Sequence, residues 1–434
     1  MVPSPEKSGA ALRFFRAGLA YLLLTLFLGI LLVTGRGYSF FGAQGAKLAH
    51  VHAGLMGFVT LIIMGSMYQI VPTLTGARLY GGALNSKQFY LMNLGVLGFF
   101  ITQLLVTGSL RRDLTIVFAG IIILASLLFA YIILKTMALG KSKVKPVTIN
   151  FFKAAIVYYL AGISMGVLMA GFPEYFAQPR FLLAKTAHAH LGTLGFITMT
   201  IFGAEYQMFP MLSLKKLWSE KWARINFWGF SLGIAGFFLG LLLLNALILT
   251  ASVALLLAST YIFLGNMLLT LRGSDWGKLD ISIKYLATGH VFLFITTALG
   301  SAMAIFYHLG LIDWLKEAGL AGADLSIYQL IWTHAHLALI GFVTLTIMGA
   351  MYHLAPMLVW MEKYGPRMGK EKVPTIQALF NHSVARLILW AMVAGLLGVL
   401  IGSMYGLTLL LRSGAFVVAG AGALFCYAMY RIML

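Results

Sequence analysis

The chain is 434 residues long, 61% hydrophobic and only 10% charged, whereas an average soluble domain is about 45–50% apolar and about 25% charged. So few charges cannot cover a water-facing surface, which excludes a soluble globular protein. A single cysteine, Cys426, leaves no disulfide framework or thiolate cluster, and the net charge of +19 is spread between apolar runs instead of gathered in one patch, which excludes a nucleic-acid binder.

In chain order, apolar runs long enough for the ~20 residues of a spanning helix recur throughout. They predict helices near 16–34, 48–74, 88–108, 114–138, 150–172, 181–213, 224–246, 249–271, 281–308, 326–359, 380–403 and 413–433. No small-residue cleavage site follows the first run, so it reads as an uncleaved helix. Basic or turn-forming stretches, such as 141–146 and 272–278, separate the runs. Counting Lys and Arg by alternate loop puts 23 of 31 on one side. The other side keeps Arg36, Lys47, Arg111, Arg112, Arg180, Lys185, Lys316 and Arg412. The positive-inside rule then predicts an integral membrane protein with both termini cytoplasmic.

Three segments align without a gap. The first runs from His50 and His52 through Gly57, Phe58 and Thr60 to Gly65, Tyr68 and Pro72. The second carries His188, His190, Gly195, Phe196, Thr198, Gly203, Tyr206 and Pro210 at the same spacing. The third carries His334, His336, Gly341, Phe342, Thr344, Gly349, Tyr352 and Pro356. The copies start 138 and 146 residues apart, each on the second helix of a group of four. The expected fold is therefore an all-α polytopic membrane protein, with twelve transmembrane helices in three pseudo-symmetric four-helix repeats. The repeats are bounded at 1–145, 146–278 and 279–434.

At ~100° per residue, the first His, the residue four later and the Gly seven later share one helix face. These are His50/Gly54/Gly57, His188/Gly192/Gly195 and His334/Ala338/Gly341. The second His of each pair points toward the opposite face, so each helix offers one imidazole to each of two neighbours. Taken alone, the glycines read as close helix packing, although glycine beside an imidazole also leaves room for something flat. Six of ten histidines in three identical His-x-His units is a stronger signal, because polar groups in lipid are expensive and mark function. Imidazole suits iron, copper and zinc. With almost no carboxylate and no thiolate nearby, haem iron held by two imidazoles is the best chemical match.

At these residues the chain resembles subunit I of the heme-copper oxidase superfamily, nearest its C-type oxidase and nitric oxide reductase branch. The likeness spans the twelve-helix layout and is sharpest at the tenth helix, in His334-Ala335-His336, Gly341-Phe342 and the run from Gly349 through Tyr352 to Pro356. The resemblance implies three four-helix arcs enclosing three pores. It also implies that the first His of the tenth helix binds an active-site haem and the second a low-spin haem, whose other ligand comes from His50 or His52 on the second helix. Fixing His50 with His336 by that resemblance pairs His334 with His190 and His188 with His52 around a ring. All six imidazoles are then used, and the count is three haems against the two of the parent family.

One departure matters as much. The family's copper or non-haem iron centre draws one His from the sixth helix and an adjacent pair from the seventh. Here the seventh helix, from Arg224 to Asn245, contains no His and no Tyr, and the chain has no His-His dipeptide. The implied function is a membrane-embedded b-type haem protein of respiratory electron transfer, with two or three bis-histidine haems and no copper centre. Two alternatives stay open: catalytic subunit I of a terminal oxygen or nitric oxide reductase, and a haem-handling or transport protein. The expected partners are the lipid bilayer, a quinol or cytochrome c-type electron partner and other membrane subunits, in a prokaryotic inner membrane. Because the six histidines lie near the starts of helices running inward, the haems are expected in the outer half.

Haem propionates need basic partners. Lys47 and Lys185 occupy one repeat position, three before the first His, and Arg111, Arg112 and Arg412 lie in corresponding outer loops. Solvated flanking charge explains these five equally well. Glu205 is the single carboxylate well inside an apolar run. A proton-transfer role and pairing with Lys215 or Lys216 both remain open for it. His290 and His353 read as hydrogen-bonded core histidines, and His308 and His382 as helix-end residues. The aromatic residues read as lipid-facing anchors and packing.

Overall fold

The computed structural model describes residues 5–140, 146–176, 180–306, 317–319 and 326–434. Among these, every long element is a helix. We number them α1 (Pro5–Val33), α2 (43–75), α3 (Ala83–Leu105), α4 (Gly108–Ala138), α5 (Pro146–Gly171), α6 (180–213), α7 (Glu220–Leu243), α8 (Ala246–Thr270), α9 (Ile281–Phe306), α10 (Ile327–Lys363), α11 (His382–Met404) and α12 (Thr408–Met433). Eleven are long and apolar enough to cross a membrane. The other, α6, is one continuous helix that carries His188, His190 and Glu205 among several threonines, which lowers its apolarity. The predicted boundaries differ by a few residues, except that α1 starts at Pro5 and a short helix, Arg36–Phe41, precedes α2. Apolar periodicity does not register a charged first turn or a six-residue helix.

Polar caps mark the turns between helices. Ser219 accepts from the backbone of Trp222 at the start of α7, and Asn245 from Ile248 at the start of α8. Ser326 and Gln329 form a reciprocal capping box on α10, which satisfies two backbone N–H groups that the first turn leaves orphaned. Tight hairpins pair α3 with α4, α7 with α8 and α11 with α12. Each group then hands on to the first helix of the next. The Ser126 hydroxyl meets the Tyr159 hydroxyl between α4 and α5 at 2.8 Å. The Arg16 guanidinium donates to the Met433 carbonyl, and the Tyr430 hydroxyl donates to the Arg16 carbonyl, returning α12 onto α1.

The middle belongs to the second helix of each group. In α2 and α10 the most apolar stretch is 61% and 72% buried inside the protein, against 22–50% in the nine other spans. Each of α2, α6 and α10 has an internal break in pattern that a 3.6-residue template cannot register. Directly after His-x-His, the α-helix widens into a π-helical segment, at Ala53–Val59, Leu191–Thr198 and Leu337–Thr344. A threonine closes each one by donating its hydroxyl to the carbonyl five residues back: Thr60 to Leu55 at 2.8 Å, Thr198 to Thr193 at 2.9 Å, Thr344 to Leu339 at 2.7 Å. In α2 the same Leu55 carbonyl also accepts the Thr60 backbone N–H, so the hydroxyl doubles the bond that closes the wide turn. π segments of this kind concentrate at functional sites.

Candidate functional site

The three His-x-His units lie within the first turns of α2, α6 and α10, on the side of the molecule opposite the packed ends of α1 and α12. The first imidazole of each unit docks on the preceding helix. Nδ1 of His50 lies 3.0 Å from the Thr25 carbonyl, that of His188 2.8 Å from Gly162, and that of His334 3.1 Å from Thr296. The second imidazole bonds back along its own helix. Nδ1 of His52 lies 2.9 Å from Leu48, that of His190 2.8 Å from Thr186, and that of His336 2.8 Å from Trp332. A carbonyl only accepts, so Nδ1 carries the proton in all six, and Nε2 keeps its lone pair. Six imidazoles are thus oriented as Nε2 donors, the arrangement in which metal-ligating histidines are usually held.

The rings meet across helices. His52 and His188 have ring centres 6.3 Å apart with planes at 23°, and His190 and His334 have centres 6.4 Å apart, also at 23°. His50 is the electrostatic neighbour of His336, which completes a ring of three pairs. Two imidazoles sharing a metal at about 2.0–2.1 Å per nitrogen have centres about 6.3 Å apart. The His52/His188 and His190/His334 pairs therefore fit an ion, or the iron of a flat cofactor, held between their rings. Among the described residues no three His, Cys, Asp or Glu side chains gather around a common point.

Three further features were missed in the sequence. A glycine one turn beyond each docking carbonyl sits against the Cε1 edge of the first imidazole. A Cβ added there would lie 3.3 Å from His50 at Gly29, 2.8 Å from His188 at Gly166 and 2.5 Å from His334 at Gly300. An aromatic ring backs each second imidazole: Phe99 against His52 at 4.7 Å, Phe237 against His190 at 5.0 Å, Trp332 against His336 at 3.9 Å. Phe99 and Phe237 are 138 residues apart, the offset of the first two motifs, so the signal was present. The π segments are the third.

The glycines of the motif do share a face with the first His, but that face is filled by a neighbouring helix. Gly57 packs on Tyr21, Gly195 on Tyr158 and Gly341 on Phe292. Close helix packing accounts for these three, and only Gly192 has open space in front of it. Of the basic candidates, Arg111 donates to the Val106 carbonyl at 2.6 Å and lies against Gly45 at the start of α2. Arg112 donates to the Gly171 carbonyl at 2.7 Å, and Lys47 lies 5.6 Å over the Tyr38 ring. Lys185 and Arg412 are exposed at the same rim.

Glu205 is paired with neither Lys215 nor Lys216. Its Oε2 lies 2.6 Å from Nε2 of His290 on α9. His353 has Asp280 as its electrostatic neighbour, and His382 meets the Gln377 carbonyl at 3.2 Å. His308 lies outside the described residues.

The sequence family described as Cytochrome C and Quinol oxidase polypeptide I matches residues 109–255. An uncharacterized protein of Aquifex aeolicus (strain VF5) is 25% identical over 350 residues, covering 80% of this chain and 78% of that one. The cryo-EM structure of a heme-copper terminal oxidase dimer superposes on the whole chain and on 85% of its own, with a TM-score of 0.69 at 14% identity. The chain thus has the fold of that terminal oxidase, and from α4 into α8 its sequence is similar to the polypeptide I family.

Proposed function

We propose that the protein is an electron-transfer cytochrome in which the pairs His52/His188, His190/His334 and His336/His50 each close one b-type haem. The observation that carries this reading is the repeated geometry: six Nδ1–H groups tied to backbone carbonyls, and facing rings 6.3 and 6.4 Å apart. The two imidazoles of each pair would together hold one haem iron, which would supply a one-electron couple suited to electron relay. The carbonyls of Thr25, Gly162 and Thr296 fix ring orientation and raise the basicity of Nε2. Phe99, Phe237 and Trp332 wall each second imidazole from lipid. The division at 145/146 and 278/279 belongs to the same reading, with one pore per four-helix group. Lys47, Lys185, Arg111, Arg112 and Arg412 stand at the rim where carboxylates of a flat cofactor would emerge. A quinol or cytochrome c-type partner on the rim side, in a prokaryotic inner membrane, fits the placement of the pairs.

α7 contains no His, so copper is not part of the proposal. Pyridine-haemochrome and metal analysis of the purified full chain is expected to give three haem b and three irons per chain, low-spin in both oxidation states. Two irons per chain would reject the ring, and copper near one per chain, retained after chelation, would reject the copper-free reading. The likeness in fold to a terminal oxidase supports the second reading, a gas reductase; a high-spin haem that binds carbon monoxide would establish it. Haem lost readily to apomyoglobin would favour a haem-handling protein.

A further inference from the structure

Far from the six histidines, Glu205 and His290 meet in the half of the protein that holds the ends of α1 and α12. Glu205 lies eight residues before the end of α6, about 12 Å along the helix, and 17 after His188, about 25 Å. The carboxyl is 3% exposed and the imidazole 11%. Oε2 is bonded to His290 Nε2 at 2.6 Å, but Oε1 is buried with no hydrogen-bond partner. The walls are aromatic: Phe209 of α6 and Phe263 of α8 each have ring centres 5.4 Å from that of His290.

The fold does not need this pair. In the aligned motifs the place of Glu205 is taken by Met67 in α2 and Met351 in α10, both fully buried. The docking contacts of α1, α5 and α9 align Tyr21, Tyr158 and Phe292, which puts Leu19 and Ile156, again fully buried, at the place of His290. Two of the three seams are therefore closed by apolar side chains where the third carries an acid and a base. Exchanging methionine for a carboxyl in lipid is expensive, and leaving one of its oxygens unpaired is more so.

We propose that Glu205 and His290 form a proton-binding site within the membrane, in which Oε1 of Glu205 takes up and releases a proton while Oε2 stays bonded to the imidazole. Oε2 accepts from Nε2–H of the imidazole, which leaves Oε1 as the free acceptor of the carboxylate. A proton delivered from water adds to Oε1 and turns the carboxylate into a neutral carboxylic acid, the form a low-dielectric wall tolerates best; no bond other than O–H forms or breaks, and no electron moves. The titratable groups around it are few. Tyr206, next in α6, donates its hydroxyl to Asn226 of α7, and Glu220 of α7 lies within electrostatic reach of Tyr206. Toward the end of the bundle, Asp280, just before α9, is the electrostatic neighbour of His353 of α10. Such a site would work whatever the number or kind of cofactor held by the six histidines.

The test is pH-jump difference infrared spectroscopy on the full chain in liposomes, with proton uptake counted in the same jump. Glu205→Gln is the first variant. The second is the double variant Glu205→Met with His290→Leu, which copies the other two seams and should fold. The wild type is expected to show a carboxylic acid C=O band that shifts in D₂O, to lose it in both variants, and to bind one more proton per chain than the double variant. A band that survives Glu205→Gln, or equal proton uptake in wild type and double variant, would overturn the proposal. Loss of the band on adding sodium chloride at fixed pH would also overturn it, pointing to a cation site.

Discussion

The two halves of the bundle obey different rules. On the rim side, three seams are built alike: docking carbonyl, glycine shelf, paired imidazole and π turn recur in α2, α6 and α10. On the other side, Tyr68 and Tyr206 still donate to amides at matching places, Gln88 and Asn226, but one seam departs to carry Glu205 and His290. Repetition persists where the proposed reading gives all three seams one task, and lapses at the seam to which we assign a proton site. A repeat protein read only for its periodicity would yield the first half and miss the second.

Breaking one imidazole pair tests the rim side most severely. His188→Ala is expected to lower iron by one per chain and to leave the other two haem signals in place, read by haemochrome and low-temperature spectra. Loss of all haem would mean that the three pairs form a single unit. In the asymmetric half, His290→Leu alone leaves the buried Glu205 without its partner, which typically costs about 3–5 kcal/mol, whereas the double change to Met and Leu should be neutral or stabilising. Thermal unfolding in detergent separates the two, and equal losses would show that the pair adds nothing.

A graded series sharpens the likeness of the seams. Alanine at Gly300, Gly166 and Gly29 would set a methyl 2.5, 2.8 and 3.3 Å from the respective imidazoles, and overpacking of this kind costs about 1–3 kcal/mol. The perturbation of midpoint potential and Tm should follow that order, and a reversed order would contradict the docking geometry. The smallest effect is expected from Thr198→Val, which removes the hydroxyl bond to Thr193 and costs about 1 kcal/mol. Differential scanning fluorimetry would resolve a shift of that size.

Much of this was legible in the residues. Hydropathy and loop charge gave the helices in number and order, because lipid permits few alternatives. The gapless alignment picked out the six histidines and the faces on which their rings meet. Three things were hidden for physical reasons. Gly29, Gly166 and Gly300 lie on other helices, at separations from the histidines that loop lengths change. The partner of Glu205 is a packing fact between α6 and α9, 85 residues apart, and a count of nearby lysines could not find it. The π segments hide because their apolar residues read simply as part of one continuous spanning run.

Those segments carry a consequence for how the central helices could be rebuilt. A π turn holds one residue more than the α-helix it replaces, so it resets the rotational phase of the helix beyond it. Each of α2, α6 and α10 is thereby two helical rods with separate phases, joined by an adjustable coupling. Chimaeras spliced within Ala53–Val59, Leu191–Thr198 or Leu337–Thr344 could exchange rim-side rods among the three positions without turning the rods below. A single-residue deletion inside the coupling, by contrast, would close it to an ordinary α-turn and leave both rods seated, and so would show what the wide turn itself adds to the imidazole pairs.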